Sequence, residues 1–122
     1  MHKPIAWQVE LAVRPGALDA FRALTVEMVA ATRQEPGVLC YERFISPDGR
    51  LVHVYERYAD SAAALAHLHA FARQFGTRFA ALVERQRFTV YGTPSAELRA
   101  LLDGFGARYL RLLDGFVQGC AY

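Results

Sequence analysis

The 122-residue sequence has no asparagine, two cysteines, one tryptophan and, among fourteen basic residues, a single lysine. Each shortage closes off an interpretation. Cys40 and Cys120 are too few and too widely spaced for a disulfide framework or a zinc knuckle, so both are expected as free thiols, with Cys40 buried in a strand. A net charge of +2, with basic residues scattered along the chain, leaves no electrostatic footprint for nucleic acid. No apolar run approaches the ~20 residues of a bilayer-spanning helix, and MHKPIAWQVE lacks the apolar core of a signal peptide, which points to a cytoplasmic protein. Catalytic signatures are equally scarce. The sequence has no phosphate-cradling glycine loop, no His-Glu-x-x-His helix, no nucleophile elbow and no acidic pair suited to a divalent metal. GTPSAE, Gly92 to Glu97, reads as a helix start. These absences favour chemistry driven by the substrate in a shaped pocket, with no metal.

What is present suits one globular domain: 53% hydrophobic and 21% charged residues, enough to build a single core. Thirteen arginines against one lysine hint at a GC-rich bacterial gene. In IAWQVELAVR, Ile5, Trp7, Val9, Leu11 and Val13 alternate with polar positions, the period of a half-buried strand. Pro15 and Gly16 end it. Leu18, Phe21, Leu24, Met28 and Val29 then predict an amphipathic helix to about Arg33, stopped by Glu35, Pro36 and Gly37.

VLCYERFIS and LVHVYERY are rich in β-branched and aromatic residues and flank Pro47, Asp48 and Gly49, so they predict a hairpin. Asp60 or Ser61 can cap the next helix, whose apolar stripe runs Leu65, Leu68, Ala72, Phe75, Phe79, Leu82. RQRFTVYG supplies a fourth strand. Thr93 and Pro94 open a last helical pattern from Leu98 to Leu113, weakened or split at Gly104 and Gly106.

The order β-α-β-β-α-β is that of a ferredoxin-like α+β fold: a four-stranded antiparallel sheet with both helices on one face. Residues 1–92 would form that domain, and 93–122 a helical extension packed on it or on a partner subunit. The other sheet face, with Ala6, Gln8, Glu10 and Ala12, is too mixed for a second core and too apolar for full solvation. Pairing two such faces in a homodimer is the economical solution.

Several short motifs together resemble the antibiotic biosynthesis monooxygenase family of dimeric α+β barrels. They are Arg14-Pro15-Gly16 after the first strand, Glu35-Pro36-Gly37 before a strand containing Tyr41, Glu56 ending the third strand, and His67 in AHLHAF. The resemblance spans about residues 4 to 91. It implies a cofactor-free oxidation of quinols or polyketide phenols by molecular oxygen. The family also includes relatives that process a small signalling molecule and haem-degrading enzymes. Many members carry a second histidine five residues after the first, where this chain has Ala72. The haem-degrading branch needs a first-strand asparagine and a histidine late in the second helix; this chain has no asparagine and no histidine after His69.

His67 and His69 lie two residues apart, so they point about 160° from each other on a helix and cannot share one metal ion. Each is expected about a quarter-turn off the apolar stripe, on opposite flanks. His67 shares its flank with Phe71, and an imidazole beside that aromatic wall can take a phenolic proton, the step that prepares an electron-rich substrate for oxygen. The bland alternative is an amphipathic boundary residue. Glu56 shares an apolar strand face with Val52, Val54 and Tyr58, and is either paired to Arg43 or Arg57 or held in a cleft. Trp7 and Tyr41 can stack on a flat substrate, although the four aliphatic residues on the face of Trp7 favour a core role for it. His67 and Glu56 are thus the catalytic candidates, with Tyr41, Trp7, Tyr58, Phe71 and Arg43 as substrate contacts.

The expected function is a homodimeric, cofactor-independent monooxygenase acting on a small aromatic, phenolic or quinol-like substrate. A dimeric barrel that only holds a hydrophobic ligand, or serves a stress response, is the alternative, because one scaffold hosts both.

Overall fold

The computed structural model describes residues 3–119. The chain folds as β1 (Ile5–Val13), α1 (Leu18–Thr32), β2 (Val38–Ile45), β3 (Leu51–Tyr58), α2 (Ser61–Gln74), α3 (Gly76–Leu82), β4 (Val83–Tyr91), α4 (Ala96–Asp103) and β5 (Arg108–Leu110). The sheet order is β2-β3-β1-β4-β5. This is the expected ferredoxin-like arrangement with one strand more than expected: β5 adds to β4 in parallel. No helix among the described residues is long and apolar enough to cross a membrane.

Alternation along the strands sets the core. Ile5, Trp7, Val9 and Leu11 all project to the helix side and are buried, together with Val52, Val54 and Tyr58 of β3 and Phe88 and Val90 of β4. Phe21, Leu24 and Met28, spaced by three and four, bring α1 down on this face. Asp60 caps α2, its side chain accepting from the Ala63 amide at 2.9 Å. The PDG turn closes the β2–β3 hairpin, with Gly49 at φ 74°, a left-handed conformation that glycine adopts without steric cost.

Three expectations change. The second helical pattern does not run unbroken to Leu82: α2 stops at Gln74, Phe75 leaves helical geometry at φ −128°, and α3 restarts at Gly76. The final pattern yields only α4, capped by Ser95 and ended at Asp103, because Gly104 and the left-handed Gly106 turn the chain back to form β5. Leu98 and Leu102 of α4 are fully buried in the main core. Cys40 is only half-buried, since it points to the sheet face away from the helices; its Sγ lies 3.3 Å from Glu42. Cys120 lies outside the described residues.

The far sheet face is a polar lattice with apolar borders. Gln8 donates to Nδ1 of His53 at 3.0 Å, Glu10 lies 3.8 Å from both His53 and Arg87, and the Tyr91 hydroxyl donates to Gln8 at 3.4 Å. Phe44 and Leu51, at the hairpin end of the same face, remain exposed.

Candidate active site

Strand register puts an acid in the middle of the core. Trp7 on β1 stands opposite Glu56 on β3, which stands opposite Tyr41 on β2; in the next row are Val9, Val54 and Arg43. Glu56 is 6% exposed. A carboxylate so buried must be compensated. The indole N–H of Trp7 donates to Oε1 at 2.9 Å, the Tyr58 hydroxyl donates to the same oxygen, and Arg43 donates to Oε2 at 3.0 Å. Arg43 is therefore the ion partner. Arg57, one position on, projects to the other sheet face with Ala6. Arg43 also lies 3.4 Å over the Tyr41 ring, and its buried Nε has no hydrogen-bond partner among the described residues.

Next to Glu56 comes His67 from α2. It is 3% exposed, whereas His69 is exposed, so the quarter-turn estimate needs correcting: α2 buries Ala64 and His67, and Leu65 and Leu68 only partly. The helix rotates toward the sheet on its small and polar residues because Glu56 supplies a polar partner there. Nδ1 of His67 lies 3.1 and 3.3 Å from the two carboxylate oxygens of Glu35, and Nε2 lies 3.6 Å from Oε1 of Glu56. A carboxylate only accepts, so the Glu35 contact calls for a proton on Nδ1, while Nε2 faces the Glu56 carboxylate. The imidazole is walled by Tyr41 and Tyr58, both with ring centroids at 5.4 Å, and by Phe71 at 6.2 Å.

Glu35, the partner of His67, is the candidate site residue that the sequence pattern alone does not single out. In Glu35-Pro36-Gly37 it registers only as part of a helix stop. Its placement depends on Gly37, where an added Cβ would stand 2.4 Å from Cβ of Ala63 on α2. Only a glycine lets the loop approach α2 so closely, and that approach brings Glu35 to His67, one turn further along. The EPG motif was the available signal.

Burial pushes the Tyr58 hydroxyl well above the ordinary phenol range, reinforced by the charge of Glu56 and by its hydrogen bond to it. Burial likewise pushes Tyr41 up to about 12, with Arg43 acting in the opposite sense. Both phenols stay protonated at neutral pH, which keeps Tyr58 a donor to Glu56.

A cavity of about 260 Å³ opens between the sheet and the α2–α3 pair. Trp7, Arg43, Glu56 and His67 line one part; Phe71, Phe79 and Phe88 form apolar walls; Phe105 and Arg85 border the rest. The volume lies just under the usual ~300–1,000 Å³ of small-molecule sites, which limits any ligand to a compact one. Trp7 is both a core residue, 1% exposed, and a cavity wall. Tyr58 and Tyr41 are not among the lining residues: they stand behind Glu56 and His67, because the polar edge of each ring is turned into the core instead of the opening. Phe105 stacks on Phe88 with centroids 5.7 Å apart at 18°, so the segment after α4 forms part of the wall.

A larger groove of about 730 Å³ lies between the start of β1 and the segment from Leu110 to Leu113. Among the described residues it contains Lys3, Arg57 and Arg111 but neither histidine nor carboxylate. The proton-handling groups converge on the smaller cavity. Among the described residues, no three His, Cys, Asp or Glu side chains are grouped to hold a metal ion.

Residues 4–85 match the family model described as antibiotic biosynthesis monooxygenase. Rv0793 from Mycobacterium tuberculosis is 36% identical over 67 residues, 55% of this chain and 66% of Rv0793, so the match spans just under two thirds of that relative. Its solved structure superposes with a TM-score of 0.57 at 30% identity, over 75% of this chain and 96% of the other. MupZ from Pseudomonas fluorescens has a TM-score of 0.85 at 25% identity, covering 97% of this chain and 91% of MupZ. SnoaB, a cofactor-independent oxygenase from Streptomyces nogalater, shares the fold, with a TM-score of 0.64 at 15% identity over 77% of this chain and 96% of SnoaB. With the family model matching well over half its length and this fold around it, the chain belongs to the antibiotic biosynthesis monooxygenase family.

Proposed function

We propose that the protein is a cofactor-independent monooxygenase that oxidises a small phenolic or quinol-like aromatic in the cavity beside His67. The observation that carries this reading is the buried imidazole held between Glu35 and Glu56 at the wall of the cavity. Glu56 is not the base, since its oxygens already receive three donors. Its role is to face Nε2 at 3.6 Å with a fixed negative charge, which stabilises the imidazolium once it forms.

In this mechanism Nε2 takes the phenolic proton, and the substrate anion passes one electron to molecular oxygen. The carbon radical and superoxide combine through a new C–O bond. The peroxide anion takes the proton back from His67, and loss of water leaves a carbonyl on the ring. One oxygen atom stays on the product, the other leaves in water, and the substrate supplies the four electrons and two hydrogens. Trp7, Arg43 and Phe71 bind the ring, while the apolar walls keep water from intercepting the radical pair. Tyr41 and Tyr58 hold the buried charges in place.

The working unit in this reading is a homodimer joined through the far sheet faces, in support of which Phe44 is 57% and Leu51 42% exposed beside half-buried Tyr55. The reading fits a soluble, small-molecule enzyme with oxygen as its co-substrate.

The test is oxygen uptake with a panel of hydroquinones and naphthols, with labelled oxygen followed into product by mass spectrometry. His67→Ala is expected to lose about 10²–10⁴-fold in kcat. Equal rates in both proteins remove His67 from the mechanism. Tight ligand binding with no oxygen uptake in the wild type favours the ligand-holding alternative.

A further inference from the structure

The β1–β4 pairing contains one irregularity. Val9 pairs with Phe88 and Glu10 with Arg87, but Leu11 pairs with Arg85, so Gln86 is an extra residue in β4. A bulge of this kind resets the alternation of the strand that carries it. With unbroken alternation, the helix-side series from Phe88 would continue to Gln86 and Glu84. The bulge replaces it with Phe88, Arg85 and Val83, opposite Val9, Leu11 and Val13. A cation is thereby placed on the helix side of the sheet, as an exposed residue at the rim of the cavity.

Among the described residues that cation has no anion paired to it. The described ion pairs involve Arg43, Arg78 and Arg87, and none involves Arg85. Its guanidinium lies 4.7 Å from the Phe105 ring centre, and Phe105 is itself stacked on Phe88. The aromatic pair thus props the guanidinium at the opening. Desolvation at the rim lowers its affinity for its own proton. Along β1, the Arg85 row at Leu11 is four residues from the Glu56 row at Trp7. At ~3.3 Å per residue the rows are roughly 13 Å apart, so the cavity has a proton-accepting end and a cationic end.

We propose that Arg85 is the specificity-determining residue of the cavity, and that the substrate is an aromatic acid whose carboxylate docks on Arg85 while its phenol faces His67. This rests on the cavity being the substrate site, as argued above, but not on turnover. Arginine matches a carboxylate with two parallel N–H donors, and a guanidinium already stacked on a ring loses little freedom on binding. A ring with its acid and hydroxyl at opposite ends spans the two poles; a neutral phenol uses only one.

The experiment compares 6-hydroxy-2-naphthoic acid with 2-naphthol, which share a ring system and differ in the distal carboxylate. Dissociation constants are measured by fluorescence titration for wild type, Arg85→Gln and His67→Ala. Wild type is expected to bind the acid about 10-fold or more tightly than the naphthol, with the preference shrinking as salt is added. R85Q is expected to lose the preference while its affinity for 2-naphthol stays within twofold. H67A is expected to keep the preference even if it abolishes oxygen uptake, which separates failure of the monooxygenase reading from failure of this one. Should R85Q not fold, the wild-type ratio and its salt dependence decide the matter. Equal affinities for the two probes, no binding of the acid, or an unchanged preference in folded R85Q would overturn the assignment.

Discussion

Glu35 and His67, 32 residues apart in sequence, meet at 3.1 Å, and this contact turns a buried histidine into an oriented one. Replacing Glu35 by Gln keeps the volume but removes the fixed negative charge and allows the ring to reverse its tautomer. The expected result is a fall in kcat of about 10-fold or more with KM little changed, read from oxygen uptake. An unaltered kcat in folded E35Q would separate Glu35 from proton transfer.

Glu56 carries structural weight as well. Glu56→Leu leaves Arg43 buried without its anion and leaves Trp7 and Tyr58 without an acceptor. A loss of roughly 3–5 kcal/mol in unfolding free energy is expected, measured by urea titration. Adding Arg43→Met to the same chain should recover a large part of it, because the uncompensated charge is then gone. If the double variant is no more stable than E56L, the pair is not the source of the cost.

Gly37→Ala is expected to destabilise by about 1–3 kcal/mol, since the new methyl group overlaps Cβ of Ala63. The strain should move the Glu35 loop away from α2. A drop in kcat in G37A under conditions where it is fully folded checks that the close approach serves the site as well as the fold.

Stability at alkaline pH follows from the two buried phenols. Their folded-state proton affinities are raised, Tyr41 to about 12 and Tyr58 well above its ordinary value, against the usual ~10 of an unfolded tyrosine. The unfolded chain therefore loses these protons first. Their contribution is fully present below pH ~10 and is lost as pH rises through 10 toward 12. Thermal unfolding midpoints should fall over that window, and Tyr41→Phe with Tyr58→Phe should flatten the slope.

Much of the fold could be read from local pattern. Alternation in IAWQVELAVR, the PDG turn and the spacing of Phe21, Leu24 and Met28 each record a local period, and the elements appear where those periods place them. Local pattern fails where tertiary contacts override it. Leu65 and Leu68 outweigh Ala64 and His67 on any hydrophobicity count, yet α2 buries the latter pair, because a polar group at Glu56 and close packing against Gly37 reward a small residue and an imidazole there. The helical spacing from Leu98 to Leu113 was genuine only to Asp103, where Gly104 and Gly106 end it and β4 offers an unpaired edge for β5.

The sequence by itself determined the β-α-β-β-α-β order of the core, the family resemblance and the pairing of Glu56 and His67 as candidates, since periodicity and motif identity are properties of neighbouring residues. Tertiary structure decided the rest: Glu35 as the partner of His67, Arg43 and not Arg57 as the partner of Glu56, Tyr41 and Tyr58 behind the site, and Arg85 at the cavity border. Each depends on cross-strand register, a loop approach or a one-residue bulge, and these bring together residues tens of positions apart by a geometry that no local period encodes.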